Sequence, residues 1–431
     1  MPRFDKINSL QIFQVLQFGT AILIGVLLVK AGLPTSLVSV YEALMFIASL
    51  FCFFWVAGGQ NALLQLFAKL DEATQKRAIF NVFLLFLLAG SVAGGLLFLF
   101  QKPVGQHLTN FEQMPLLNLL ALFLALNSPS FLLQIIYLLL KKYRQLVVFG
   151  AVGFGLQLVL VVLPIFLGFS LRESMYGLLA WALVKLIWTT VVVYRHAEWR
   201  LDPFFFKKYL LLAWPLLLFA AIGKGSEYVS GLAVSTLFED PKAFAIFRYG
   251  ARELPLAVLM VGALATALIP EMAENPALGL KRVKEQTRKL SHWLYPISMA
   301  SMLAAPFLFP LFFNPDFKTS ARIFNIFTLL LASRILLPQV VTMGAGKNKV
   351  LIISALMELL VLIGLSYWWG TAFGLEGIAW AAVAAFMVDR VVLVWYNWRV
   401  LRIPPADYID WKIWVGYNLA LAFVFLISLQ I

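Results

Sequence analysis

The sequence predicts an all-α polytopic membrane protein, and three observations predict it. Of 431 residues 62% are apolar and only 13% charged, too little polar surface for a soluble domain of this size. Apolar stretches of about 20 residues follow one another from end to end, each long enough to cross ~30 Å of hydrocarbon as a helix. The basic residues gather in alternate gaps between them, the pattern of a chain threaded through a bilayer. Barrel strands would be shorter and would alternate apolar with polar residues; these runs do neither.

In chain order the spans are expected at about 10–30, 37–58, 79–100, 115–138, 146–169, 174–194, 208–237, 243–269, 291–313, 320–343, 350–369, 375–397 and 411–430. The first run is long and no small-residue cleavage site leads out of it, so it reads as an uncleaved first span rather than a signal peptide. The last follows the Pro404-Pro405 break and is the least regular. Prolines fall within several spans, among them Pro129, Pro164, Pro215, Pro255, Pro296, Pro306 and Pro338. Each removes a helical hydrogen bond and favours a kink or break.

The net charge of +13 does not indicate nucleic acid, because the Lys and Arg residues sit at span ends and not on one soluble face. The N-terminus and every second gap hold 22 of the 34; the intervening gaps hold six. This asymmetry predicts a cytoplasmic N-terminus, with 271–290 as the longest basic inner loop. The single cysteine, Cys52, excludes a disulfide framework and a thiolate metal site within one chain.

The chain also repeats itself. Lys141-Lys142-Tyr143-Arg144, an apolar span, Gly168 and Gly177-Leu178-Leu179-Ala180-Trp181 are matched about 200 residues later. There the order is Gly346-Lys347-Asn348-Lys349, an apolar span, Gly370 and Gly377-Ile378-Ala379-Trp380. Tyr41-Glu42-Ala43 is matched by Tyr249-Gly250-Ala251. Each half would contain six spans, and an even number makes the halves parallel repeats about an axis along the membrane normal. The expected division is 1–200 and 201–403 for two six-helix bundles, with 404–431 as an additional helix.

Charges inside spans are costly and mark cavities, partners or ion paths. Span seven carries Lys224 and Glu227, three residues apart and thus on one face, continued by Tyr228. Span eight carries Arg248 and Arg252 at helical spacing, with Glu253 beside them. Lys185, Arg334, Glu358 and the adjacent Asp389 and Arg390 lie deeper in later spans. Adjacent residues on a helix point to different sides, so Asp389 and Arg390 are expected to need separate partners. Glu358 with Asp389 is a candidate proton or sodium site; the alternative is pairing of Glu358 with Arg334 or Arg390. Glu42 and Lys30 read as rim or snorkelling groups.

Several stretches resemble a known family: Leu16-Gln17-Phe18 through Tyr41-Glu42-Ala43-Leu44 to Gly58-Gly59; Asp240 through Tyr249; Leu268-Ile269-Pro270-Glu271; and Gly374-Leu375-Glu376-Gly377-Ile378-Ala379. With two six-helix bundles, they make the first 400 residues or so similar to the polysaccharide-exporter, Wzx-type branch of the multidrug/oligosaccharidyl-lipid/polysaccharide exporter superfamily. The resemblance implies a V-shaped transporter in the bacterial inner membrane that flips undecaprenyl-pyrophosphate-linked glycan by alternating access. Glycan polymerase and glycosyltransferase partners would accompany it, with no cofactor beyond a coupling H+ or Na+. It also implies that the first two helices of each half line the cavity, so Lys224, Glu227, Tyr228, Arg248 and Arg252 would meet substrate there. Guanidinium forks and an ammonium suit a pyrophosphate. The alternatives are a lipid II flippase, whose substrate also carries a pyrophosphate, and an ion-coupled multidrug exporter, which favours an acidic cavity.

No enzyme site is visible. The sequence has no Walker-type loop and no metal-spaced His pair, and its three histidines, His107, His196 and His292, sit near span ends.

Overall fold

The computed structural model describes residues 6–67, 70–108 and 114–431, without the side chains of 6–8, 106–107, 219, 222–224, 226–227, 255–256, 270 and 348. Its secondary structure is helical, with no strand among these residues. Eleven segments among them are long and apolar enough to cross a membrane. The longest is two helices joined by a sharp turn, and the described part of a further long helix adds a shorter apolar stretch, Tyr228–Leu237. The helix order thus follows the expected spans, including the last.

Chain packing divides the protein into Met1–Ala221 and Ile222–Ile431, inside the seventh span, whereas the sequence suggested a division near residue 200. The first unit opens with α1 (Lys6–Lys30), α2 (Thr35–Phe67), α3 (Glu72–Leu99) and a short α4 (Gln101–Leu108). The fourth span is broken into α5 (Leu117–Asn127), a 3-10 turn at Ser128–Leu132 and α6 (Leu133–Leu139). Pro129 sits in that turn, where a missing N–H is tolerated. A hairpin of α7 (Tyr143–Phe166) and α8 (Leu171–His196) completes the bundle, and α9 (Pro203–Leu237) begins the next. With no hydrophobic drive between helices in lipid, close approach rests on small residues. Gly90 and Gly94 on α3 show this: a Cβ on either would overlap Ser128 or the Ala121 carbonyl of the fourth span.

In the second unit the eighth span is α10 (Ala243–Gly250) and α11 (Pro255–Glu274), followed by α12 (Pro276–Phe312). The stretch 271–290, expected as a loop, is mostly helix. Asn275 accepts a hydrogen bond from the Leu278 amide at 3.2 Å and Pro276 opens α12, so one helix stops and the next starts within one residue. The tenth span is α13 (Lys318–Thr328), α14 (Leu331–Arg334) and α15 (Pro338–Gly344). In α16 (Asn348–Arg399) the backbone breaks at Gly374, with φ 68° and ψ −150°, a region only glycine occupies readily. The chain folds back there: a Cβ on Gly377 would overlap the Trp369 carbonyl. A short α17 (Pro405–Tyr408) leads to α18 (Trp411–Ser428), which packs on α12. Tyr295 and Tyr417 stack across that contact at 4.8 Å.

The repeat is visible in the backbone. Both α6 and α15 have seven residues, and each ends in the same turn. Lys141 and Gly346 take positive φ, 56° and 71°, and the Lys142 and Lys347 amides reach back to the carbonyls of Tyr137 and Thr342.

Candidate functional site

Span eight differs from its sequence reading. An unbroken helix would place Arg248 and Arg252 on one face, but α10 ends at Gly250 and residues 251–254 are not helical. The cause is Pro255: its ring disfavours helical backbone at the preceding residue, and Leu254 is extended at φ −58°, ψ 114°. Arg252 therefore leaves the helix, and its guanidinium lies 4.7 Å from the Tyr249 ring centroid. Arg248 remains on α10, partly buried, and Tyr228 is buried on α9. The side chains of Lys224 and Glu227, and with them the predicted shared face with Tyr228, lie outside the described residues.

Glu253, in the same break, meets the tenth span. Arg334, the last residue of α14, donates to it through Nε at 2.9 Å and Nη2 at 2.5 Å. This is the bidentate geometry that suits a guanidinium to a carboxylate. The opposite face of the Arg334 guanidinium lies over Phe386, 4.5 Å from the ring centroid. Residues 335–337 are also non-helical, so the pair ties the breaks of two neighbouring spans together. The sequence offered Glu358 as a partner for Arg334 or Arg390; Glu253 as a partner of Arg334 was not foreseen.

The α16 hairpin supplies the rest. Glu358, Asp389 and Arg390 are all buried. Asp389 accepts a hydrogen bond from Ser354 Oγ at 2.5 Å and lies 3.2 Å from Arg390, which also donates to Gln339 Oε1 at 2.8 Å. The adjacent pair therefore does interact, against the expectation of separate partners. A 100° azimuthal step separates Cβ atoms but not the end of an arginine long enough to arch back over its neighbour. Glu358 is one helical turn from Ser354 and acts electrostatically on Arg390, as does Arg334. Phe386, Asp389 and Arg390 share one face by their three- and four-residue spacing. Sequence reasoning missed Gln339, Ser354 and Phe386. Ser354 had a signal, its one-turn spacing from Glu358; Gln339 had only its place after Pro338.

Glu253, Glu358 and Asp389 thus gather with the guanidinium groups of Arg334 and Arg390 in one charged cluster. In the first unit Lys185 donates to Asn127 Oδ1 and lies 5.5 Å and 5.8 Å from the ring centroids of Trp181 and Phe123. Glu42, expected at the rim, is buried. Its early position in α2 marks one end of the helix, not exposure.

A broken helix, buried carboxylates and paired arginines inside spans are features that membrane transporters use, since irregular backbone at membrane depth persists only against protein or a water-filled cavity. Residues 39–322 match the family described as "Polysaccharide biosynthesis protein", and the chain belongs to it, in keeping with the exporter superfamily that its motifs resemble. Among solved structures it is similar to a lipid II flippase, MurJ, in an inward closed conformation. The TM-score is 0.75 and the identity 17%, covering 97% of this chain and 95% of that one. An inward-facing multidrug resistance MATE transporter of the MOP superfamily gives a TM-score of 0.67 at 14% identity, over 97% and 99% of the two chains. A MOP superfamily transporter from Pyrococcus furiosus gives 0.58 at 16%, over 96% and 94%. At these identities the likeness is one of fold. No curated protein sequence matches.

Proposed function

We propose that this protein moves an undecaprenyl-pyrophosphate-linked oligosaccharide, an O-antigen, capsule or similar surface unit, from the inner to the outer leaflet of the bacterial cytoplasmic membrane. Its N-terminus would be cytoplasmic. The observation that carries this reading is the break at 251–254, which takes Arg252 off the helix that holds Arg248, in a chain of the polysaccharide biosynthesis family. A flexible guanidinium on unwound backbone can follow a diphosphate through a conformational change better than one fixed on a rigid helix. Lys224, Glu227 and Tyr228 on α9 belong to the same proposed substrate site. The fold similarity to a lipid II flippase supports a lipid-linked substrate.

Deleting the gene should trap the glycan on its undecaprenyl carrier in the inner leaflet, and a plasmid copy should restore export. Accumulated lipid II instead of a surface-glycan precursor would transfer the assignment to cell-wall synthesis. Arg252→Ala should reduce export at unchanged membrane abundance; normal export would remove Arg252 from the site. Orientation is tested by cysteines introduced at 314–319, which should react with an impermeant thiol reagent from outside, while those at 142 and 285 should not.

Glu358 and Asp389, carboxylates buried inside spans, support coupling to H+ or Na+. Glu358→Gln should keep the protein folded and abolish the dependence of flipping on that gradient. Unchanged gradient dependence would limit Glu358 to packing.

A further inference from the structure

The first unit holds a cavity that the transport reading does not use. It occupies about 790 Å³ where the end of α6, the start of α7 and the end of α8 meet. That volume lies within the ~300–1,000 Å³ of ligand pockets. Its wall is apolar and largely exposed along Val148, Val184, Ile187 and Val191, the surface a span presents to lipid. Its mouth is basic, formed by Lys142, Arg144 and Arg195 with His196, and no lining residue is acidic.

The hairpin itself opens this groove. Near its turn α7 and α8 touch, since a Cβ on Gly177 would overlap the Leu160 carbonyl. Further along, bulk intervenes: Trp181 packs over Gly153, and Phe149 meets Trp188 edge-on at 5.3 Å. The helices are pinched at one end and wedged apart by rings at the other.

The mouth is also built. His196 Nδ1 donates to the Val192 carbonyl at 2.9 Å, which leaves Nε2 to accept from the Lys142 ammonium at 2.5 Å. That bond holds the charge at the mouth without neutralising it. Trp188 Nε1 donates to Tyr137 Oη at 2.9 Å, fixing the wall below. Elsewhere in this unit basic side chains at span ends are neutralised, Arg77 by Glu198 at 3.0 Å and Lys76 by Glu72 at 2.8 Å. Neither Arg144 nor Arg195 has an acidic partner among the described residues.

We infer that this groove binds an anionic glycerophospholipid, its phosphate held by Lys142, Arg144 and Arg195 and an acyl chain laid along Val148, Ile187 and Val191. Phosphate oxygens match the guanidinium forks, and basic pockets between spans collect anionic head groups. The charge distinguishes it from a site for neutral lipid, and the open apolar wall distinguishes it from a site for a free anion.

The test is lipid retention by the full-length protein in non-ionic detergent, read by native mass spectrometry with phosphatidylglycerol or phosphatidylcholine added. Phosphatidylglycerol should be retained at least about tenfold better, which is less than three fully effective basic groups near a head group would supply. The K142Q/R144Q/R195Q variant should fall to the phosphatidylcholine level. Val191→Trp, which fills the groove without altering charge, should lower retention of both lipids. Equal retention of the two lipids by the unaltered protein would overturn the inference, as would undiminished retention in folded variants. Displacement of phosphatidylglycerol by an equal concentration of undecaprenyl phosphate would also overturn it, making the groove an entry point for the carrier lipid.

Discussion

The two units resolve the same problem, charge inside a bilayer protein, in opposite ways. Span two of the first unit, α2, runs unbroken from Thr35 to Phe67 and carries one buried carboxylate, Glu42. Its counterpart by sequence, span eight, stops at Gly250 and restarts at Pro255 with Arg252 and Glu253 between. Asn127 in the break of span four receives Lys185, a cation set against aromatic rings; the breaks of spans eight and ten are bound to each other by Glu253 and Arg334. In the first unit Lys185 is set against neutral groups, while in the second Arg334 and Arg390 belong to a charged network. The difference teaches where an exchange of partners is open to the chain. Paired charges across two helix breaks can exchange partners, while an ammonium held by an amide and two rings has no ionic alternative to exchange into.

The largest effect should come from cutting the network. Arg334→Met would leave Glu253 unpaired, and the cost of stranding one member of a buried pair is ~3–5 kcal/mol. Both side chains are about three-quarters buried, 25% and 21% exposed, so little of this is screened away. Thermal unfolding in detergent should show the loss, and the double variant with Glu253→Gln should recover part of it. A double variant as unstable as the sum of the singles would show that the two breaks are not coupled through this pair.

Much of this architecture was legible in the sequence, because span length and loop charge are set by the bilayer and recur in every helix. The repeat was legible for the same reason: Lys141-Lys142 and Gly346-Lys347 mark one turn used twice. The candidate site was less so. Helical spacing grouped Arg248 with Arg252, but one proline five residues past Gly250 ends the helix between them. Pairing was only partly legible. Arg334 takes Glu253, which the sequence did not suggest, and Arg390 bends back to Asp389, because long side chains choose partners by three-dimensional packing. Gln339 carries no charge and could not stand out among uncharged residues, while Ser354 had only its one-turn spacing from Glu358.

A smaller loss is expected from Lys185→Met. The ammonium has no carboxylate to strand, and Asn127 Oδ1 keeps the Ser130 hydroxyl at 3.3 Å. Methionine fills a similar volume and removes the cost of burying a charge. The net change should lie within ~1 kcal/mol of zero, measured by the same unfolding transition. A loss as large as that of Arg334→Met would show that the first unit depends on this cation as strongly as the second depends on its network.

The smallest effect separates the twin turns. Lys141 and Gly346 both hold positive φ, yet only glycine does so without crowding its Cβ against the backbone. Gly346→Lys should therefore destabilise the second unit by ~1 kcal/mol. A Cβ there meets nothing within 4 Å, so the cost is conformational and not a clash. Lys141→Gly should relieve the same strain in the first unit, by less, because glycine also loosens the unfolded chain. For units of this size such changes move the unfolding midpoint by about 2–4 °C, upward for one variant and downward for the other. Shifts of the same sign would mean that the matched backbone geometry does not carry matched strain, and that the lysine ammonium itself, at the edge of the bundle, outweighs the strain its backbone bears.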